Sequence, residues 1–162
     1  MASIIGFPDP VDEVSARLVA AGVVLLSVAT VALDQPWLTL LIAFGFVARV
    51  LTGPKLSPLG LLVTRVIRPR LPLAPRPVPG PPKRFAQGMG TFFSITAAVL
   101  AVGLGAVGAG YAVLGLLTAA ATLEAVFGLC LGCKVFALLM RVGIIPESVC
   151  VRCNDLSLAA RS

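Results

Sequence analysis

Histidine is absent from the 162 residues of this chain, and charged residues are scarce. The lack of histidine excludes His-dependent catalytic triads, His metal ligands and His proton shuttles. Charged residues make up 12% of the chain, about half of their share in ordinary globular domains. Hydrophobic residues reach 58% and the mean hydropathy is +1.02, which is more apolar surface than a soluble core of this length could bury. We therefore expect the lipid of a membrane, rather than water, to surround much of the apolar surface of this chain.

Four apolar runs predict an all-α, polytopic membrane protein with four transmembrane helices. The predicted spans are residues 16–33, 37–52, 85–102 and 111–132. A glycine-rich stretch between the last two runs predicts a turn, because one uninterrupted helix there would be far too long for a bilayer. We expect residues 1–162 to form a single integral membrane domain.

A basic connection, residues 53–84, joins the second and third runs. Its apolar residues recur at near-helical spacing and predict a short amphipathic helix over residues 58–68. This helix either lies on the membrane surface or packs inside the loop. Residues 70–82 contain six prolines, which favour an extended polyproline conformation and a semi-rigid spacer.

The basic residues are distributed unequally, and this predicts the orientation. Residues 49–84 hold eight of the thirteen, the C-terminal end holds four more, and the turns around Asp34 and Gly105 hold none. The sequence thus predicts a multi-pass protein of the cell membrane. By the positive-inside rule, its N-terminus, its central loop and a tail over residues 134–162 lie in the cytoplasm. Anionic lipid headgroups explain the net charge of +6 better than nucleic acid does, since no stacking platform or recognition helix is visible.

All four cysteines lie in the last third of the chain, as the pairs Cys130/Cys133 and Cys150/Cys153. Sixteen residues separate Cys133 from Cys150, a spacing typical of a structural site in which four thiolates hold zinc. The apolar surroundings of the first pair differ from the polar turns of most zinc ribbons. The first pair could also consist of small packing residues in a continuous helix.

A redox interpretation depends on Gly128 and Gly132. If the fourth helix breaks near these glycines, Cys130 and Cys133 begin a new short helix that continues over residues 134–141. The dipole of that helix favours a thiolate at its N-terminus. An i, i+3 pair on one turn can also close a disulfide, which would be transient in the reducing cytoplasm.

Glu124 is a carboxylate inside the fourth apolar run, which makes it a candidate functional residue. It lies six residues before Cys130, so on a straight helix it would point roughly 120° away from that thiol. We expect its partner to be Arg49, near the cytoplasmic end of the second run. The pair is either structural or part of a proton or substrate path.

Three stretches carry a family resemblance: residues 49–58, residues 80–87, and residues 124–133 with Glu124 followed by Cys130-Leu-Gly-Cys133. They resemble a bacterial family of small four-helix membrane proteins classed as a domain of unknown function. The resemblance implies an integral membrane protein, often met beside thioredoxin-like or rhodanese-like proteins, and hence thiol or sulfur traffic. It does not include Cys150 and Cys153.

The favoured function is thiol–disulfide redox or sulfur handling at the cytoplasmic membrane face through Cys130 and Cys133. One alternative is a structural or scaffolding protein without enzymatic activity, with or without zinc held by all four cysteines. Another is a small transporter with Glu124 and Arg49 along its path. No motif for nucleotide, flavin or haem is present, and the sequence leaves enzymatic activity, substrate and oligomeric state open.

Overall fold

The computed structural model describes residues 10–150, and this part of the chain is all-α, with six α-helices. Their bounds are α1 Glu13–Ala32, α2 Leu38–Thr52, α3 Pro58–Leu62, α4 Gly80–Ala98, α5 Val107–Phe127 and α6 Leu131–Arg141. A two-residue antiparallel ladder pairs β1 (Val11–Asp12) with β2 (Pro77–Val78). A single 3₁₀ turn, Glu147–Cys150, follows α6.

Three of these helices are long and apolar enough to cross a membrane. They are α1 with 20 residues, α4 with its π-helical continuation Val99–Gly103 at 24 residues, and α5 with 21. About 20 apolar residues suffice to span the hydrocarbon core. The apolar helix α2 has 15 residues and is shorter than such a span. The three long helices indicate a membrane location.

The packing of the bundle leaves many apolar side chains on its outside. α1 packs on α5, α2 on α4, and α4 on α5. The buried cluster between them consists of Val23, Ile42, Phe46, Ala97, Leu114, Leu117 and Ala121. On the outer surface Leu25, Phe92 and Phe127 are 73%, 66% and 69% exposed. Contact with lipid, rather than water, accounts for such a surface.

The start of α4 differs from the prediction. The helix begins at Gly80, five residues before the predicted start at residue 85. Pro81 and Pro82 occupy its first turn, where a missing backbone N–H costs nothing because that group has no helical acceptor. The predicted extended conformation is therefore confined to residues 71–79.

The end of α5 also differs, for a reason visible in the backbone. The helix ends at Phe127 rather than at residue 132, because Gly128 adopts a left-handed conformation with φ of 68°. The predicted span continued to residue 132, and a break near Gly128 and Gly132 was the condition of the redox interpretation. The structure contains this break. A new helix, α6, starts at Leu131, three residues earlier than predicted.

The predicted amphipathic helix over residues 58–68 is present. It consists of α3, a π-helical turn Val63–Ile67 and a 3₁₀ turn Arg68–Arg70. Val63 is fully buried, and Leu59 packs against Gly22 of α1. The segment therefore packs on the bundle through one face.

Candidate functional site

Glu124 forms an ion pair with Lys83 between α5 and α4. Lys83 Nζ donates to Glu124 Oε1 at 2.6 Å, and the two side chains are 8% and 15% exposed. Lys83 lies three residues after the start of α4 and Glu124 three residues before the end of α5. Antiparallel packing of these helices therefore brings both charges to the same depth, where each offsets the cost of burying the other.

The ion-pair partner of Glu124 is Lys83 and not Arg49, the expected partner, although Glu124 also interacts electrostatically with Arg49. Arg49 Nε donates to Gln87 Oε1 at 2.9 Å, and Nη1 donates to Ser57 Oγ at 3.0 Å. The guanidinium carbon also lies 4.4 Å from the centroid of the Phe46 ring, a cation–π distance. The helix register explains the difference, because Lys83 belongs to α4 whereas the prediction counted it as a loop residue.

Cys130 and Cys133 meet at the start of α6. Cys130 is the N-cap residue, and its Sγ accepts a hydrogen bond from the backbone N–H of Cys133 at 3.3 Å. Both cysteines are free thiols; Cys130 is buried and Cys133 is half-buried. The helix start thus holds one thiol with a donor aimed at its sulfur and a second thiol one turn away.

The two thiols have opposite acid–base character. A hydrogen bond from the Cys133 thiol, the Lys83 ammonium and the backbone N–H of Cys133 together lower the pKa of Cys130, although burial and the Glu124 carboxylate oppose them. The hydrogen bond to Cys130, burial and the charge of a Cys130 thiolate raise the pKa of Cys133. The backbone N–H that points at its sulfur makes Cys130 the better placed of the two thiols to be a thiolate.

Close packing of α6 on α4 holds the thiols next to the ion pair. A Cβ added at Gly132 would lie 2.5 Å from the Cα of Ala86, so only glycine permits this approach. The rings of Phe85 and Phe136 pack with their centroids 5.7 Å apart. These contacts fix α6 against the first turns of α4, where Lys83 lies.

A cavity of about 430 Å³, which opens to the surface of the bundle near Leu116, Leu131 and Lys134, is lined in part by Cys130. Its polar lining includes Arg49, Gln87 and Glu124, and most of its other walls are apolar. Cys130 is therefore one of the residues that line this cavity.

Comparison with known families supplies the classification. A family profile described as "Domain of unknown function (DUF4395)" matches residues 11–141. The chain belongs to the DUF4395 family. The matched range contains the ion pair and the first cysteine pair. No curated protein and no solved structure matches the chain.

The zinc hypothesis needs residues beyond the DUF4395 match. Cys153 and the side chain of Cys150 lie outside the part of the chain that the structure describes, so the four-cysteine site remains a prediction. Among the side chains that the structure describes, which exclude those of Glu147 and Cys150, no three cysteine or carboxylate groups come together as metal ligands.

Sequence reasoning missed two basic residues of this DUF4395 site. One is Lys83. A predicted α4 that started at Gly80 would have placed Lys83 and Glu124 at the same depth in the bundle and so indicated the pair. The other is Arg17, which donates through Nε and Nη2 to the carbonyl of Ala125 at 3.2 and 3.1 Å, and through Nη2 to that of Val126 at 2.8 Å. A cation at these carbonyls stabilises the C-terminal end of α5.

Proposed function

We propose that this protein carries out thiol–disulfide exchange at the membrane, with Cys130 as the attacking thiolate and Cys133 as the resolving thiol. The observation that carries the proposal is the N-cap position of Cys130, whose Sγ lies 3.3 Å from the backbone nitrogen of Cys133. Lys83 adds a buried positive charge next to this thiol. A helix start and a nearby cation both favour the thiolate, which is the form that nucleophilic attack requires.

The exchange consists of two displacements. The Cys130 thiolate attacks one sulfur of a disulfide on a partner protein, forms a mixed disulfide, and releases the other sulfur as a thiolate that takes up a proton. Cys133 then loses its proton, attacks Cys130 Sγ, and expels the second partner sulfur as a thiolate, which is protonated in turn. Cys130 and Cys133 end as a disulfide, and the partner disulfide ends as two thiols.

The proposed setting is the cytoplasmic face of the cell membrane. We propose one integral membrane domain in which α1, α2, α4 and α5 cross the bilayer, with the N-terminus, residues 53–84 and the C-terminal tail in the cytoplasm. The positive-inside rule supports this orientation, because the turns at the other end hold no Lys or Arg. The family resemblance favours a thioredoxin-like or rhodanese-like partner, and the reducing cytoplasm would return the chain to its dithiol form.

Trapping of mixed disulfides in intact cells tests this proposal. Cys133→Ser should accumulate a disulfide-linked partner on Cys130, since the resolving thiol is missing. Cys130→Ser should accumulate none, and Cys150→Ser, which leaves the first pair intact, should behave as wild type. An equal yield of adducts from Cys133→Ser and from the Cys130→Ser/Cys133→Ser double variant would contradict the assigned roles.

The same cells distinguish exchange from sulfur handling. A persulfide on Cys130 without any mixed disulfide would assign the thiolate to sulfur transfer. Cysteines that never change state, together with stoichiometric zinc that is lost in Cys150→Ser, would instead favour the scaffolding alternative.

A further inference from the structure

Arg49 is a buried cation that has no carboxylate within ion-pair distance among the side chains that the structure describes, which exclude that of Glu147. It is 5% exposed, and its hydrogen bonds go to the neutral side chains of Gln87 and Ser57. Its remaining nitrogen, Nη2, has no hydrogen-bond partner in the same part of the chain. Glu124 attracts this charge through space but is ion-paired with Lys83, so two buried cations share one carboxylate. A buried excess of positive charge is costly, so this guanidinium calls for a further anion.

A cavity of about 220 Å³ adjoins Arg49. Lys83 also lines it, and only one of the three ammonium hydrogens of Lys83 is committed to Glu124. The acidic side chain in the lining is Asp12, whose oxygens already accept hydrogen bonds from Arg68, from the backbone of Arg76 and from Ser15. With Lys83 and Asp12 each paired, the charge of Arg49 leaves the cavity net positive.

We infer that this cavity binds an oxyanion of the phosphate type, held by Arg49 and Lys83. The Nη2 of the Arg49 guanidinium offers its two N–H donors to such a group, and an ammonium adds a point charge. A water molecule occupies about 30 Å³ in the liquid, so the cavity has room for a tetrahedral anion and part of an attached alcohol. The same chemistry is supplied by inorganic phosphate and by the headgroup of an anionic phospholipid.

This site shares Lys83 with the proposed thiol chemistry but does not include the thiols. Cys130 lines the larger cavity and is absent from the lining of this one, whereas Arg49 and Gln87 form a wall of both. Binding of the oxyanion therefore neither requires nor implies disulfide exchange.

Thermal unfolding of the full-length protein in delipidated detergent micelles tests the inference. One titration adds sodium phosphate at constant ionic strength, with sodium chloride as the reference, and another adds phosphatidylglycerol to the same micelles. A ligand at tenfold its dissociation constant should raise Tm by about 3–6 °C. A rise with phosphate identifies the free anion as a ligand, and a rise with the lipid alone identifies the headgroup.

Two variants show whether the effect arises in this cavity. Arg49→Gln removes the unpaired charge, and Thr64→Leu narrows the cavity while keeping every charge, which preserves the test if Arg49→Gln does not fold. Both should lose the rise in Tm, whereas Arg65→Gln, which changes an exposed arginine outside the cavity lining, should retain it. The inference is overturned if neither probe stabilises wild type, or if Thr64→Leu responds as strongly as wild type does.

Discussion

The two ends of the helical bundle differ in how their polar groups are held. At the charged end, defined by Asp12, Arg49, Lys83 and Glu124, the polar side chains form ion pairs or buried hydrogen bonds around two cavities. At the opposite end, Tyr111 donates its hydroxyl to Asp34 at 3.0 Å in an exposed hydrogen bond. Desolvated charge interactions are worth more than exposed ones, so both stability and chemistry should depend mainly on the charged end.

The largest effect is expected from breaking the buried ion pair. Glu124→Gln leaves the Lys83 ammonium buried without its counter-charge, which should destabilise the protein by about 3–5 kcal/mol. The measurement is the free energy of unfolding in mild detergent.

The matched control is Asp34→Asn at the opposite end, where asparagine tolerates the positive φ of 48°. It should change the same free energy by about 0.5 kcal/mol or less. Replacing both partners, as in Lys83→Met/Glu124→Leu, should restore most of the stability, because no buried charge then lacks a partner. Equal losses from Glu124→Gln and Asp34→Asn would remove the distinction between the ends.

An intermediate effect is expected at Asp12, on the rim of the charged end. Burial opposes its ionisation, but hydrogen bonds from Arg68, the backbone of Arg76 and Ser15 outweigh burial and lower the pKa of Asp12 from 3.8 to about 2. Because the folded pKa is the lower one, this stabilisation is complete above pH 3.8 and is lost as the pH falls through about 2.

Asp12→Asn should therefore cost about 1 kcal/mol at neutral pH, after allowance for solvent screening of this partly exposed group. The difference in unfolding free energy between wild type and Asp12→Asn should shrink between pH 4 and pH 2. A difference that stays constant over that range would show that the carboxylate charge is not responsible.

The smallest effect is expected at the opposite end. Tyr111→Phe removes the exposed hydrogen bond to Asp34 and should cost about 0.5 kcal/mol or less. The same unfolding measurement applies. A loss as large as that of Asp12→Asn would place a strong interaction at the end where the structure shows a weak one.

Features encoded by single residues could be predicted from the sequence. Gly128 indicated where the fourth helix could break, although the predicted span continued to residue 132. Glycine readily adopts a left-handed conformation, and the break makes Cys130 an N-cap residue. The apolar helices were predictable from their composition alone. The predicted helix over residues 58–68 followed from the spacing of its apolar side chains, which is a local property.

Features that depend on register between distant helices were not predictable in the same way. The partner of Glu124 is decided by which cation lies at its depth on the neighbouring helix, and this depended on α4 beginning at Gly80. Prolines usually indicate a loop. Because Pro81 and Pro82 lie in the first turn of α4, the prediction assigned Lys83 to the loop rather than to the helix. The hydrogen bond from Arg49 to Gln87 likewise results from the packing of α2 on α4, and no local sequence pattern predicts how two distant helices pack.

The pH dependence of Cys130 alkylation in membranes is the most direct test of the central claim, a thiolate stabilised at the charged end. Rates measured by mass spectrometry should reach half their maximum below the ordinary thiol pKa of about 8.5. Lys83→Met, which removes the adjacent ammonium, should move that midpoint to higher pH. A Cys130 midpoint at or above the ordinary value in wild type, with no shift in Lys83→Met, would contradict the account.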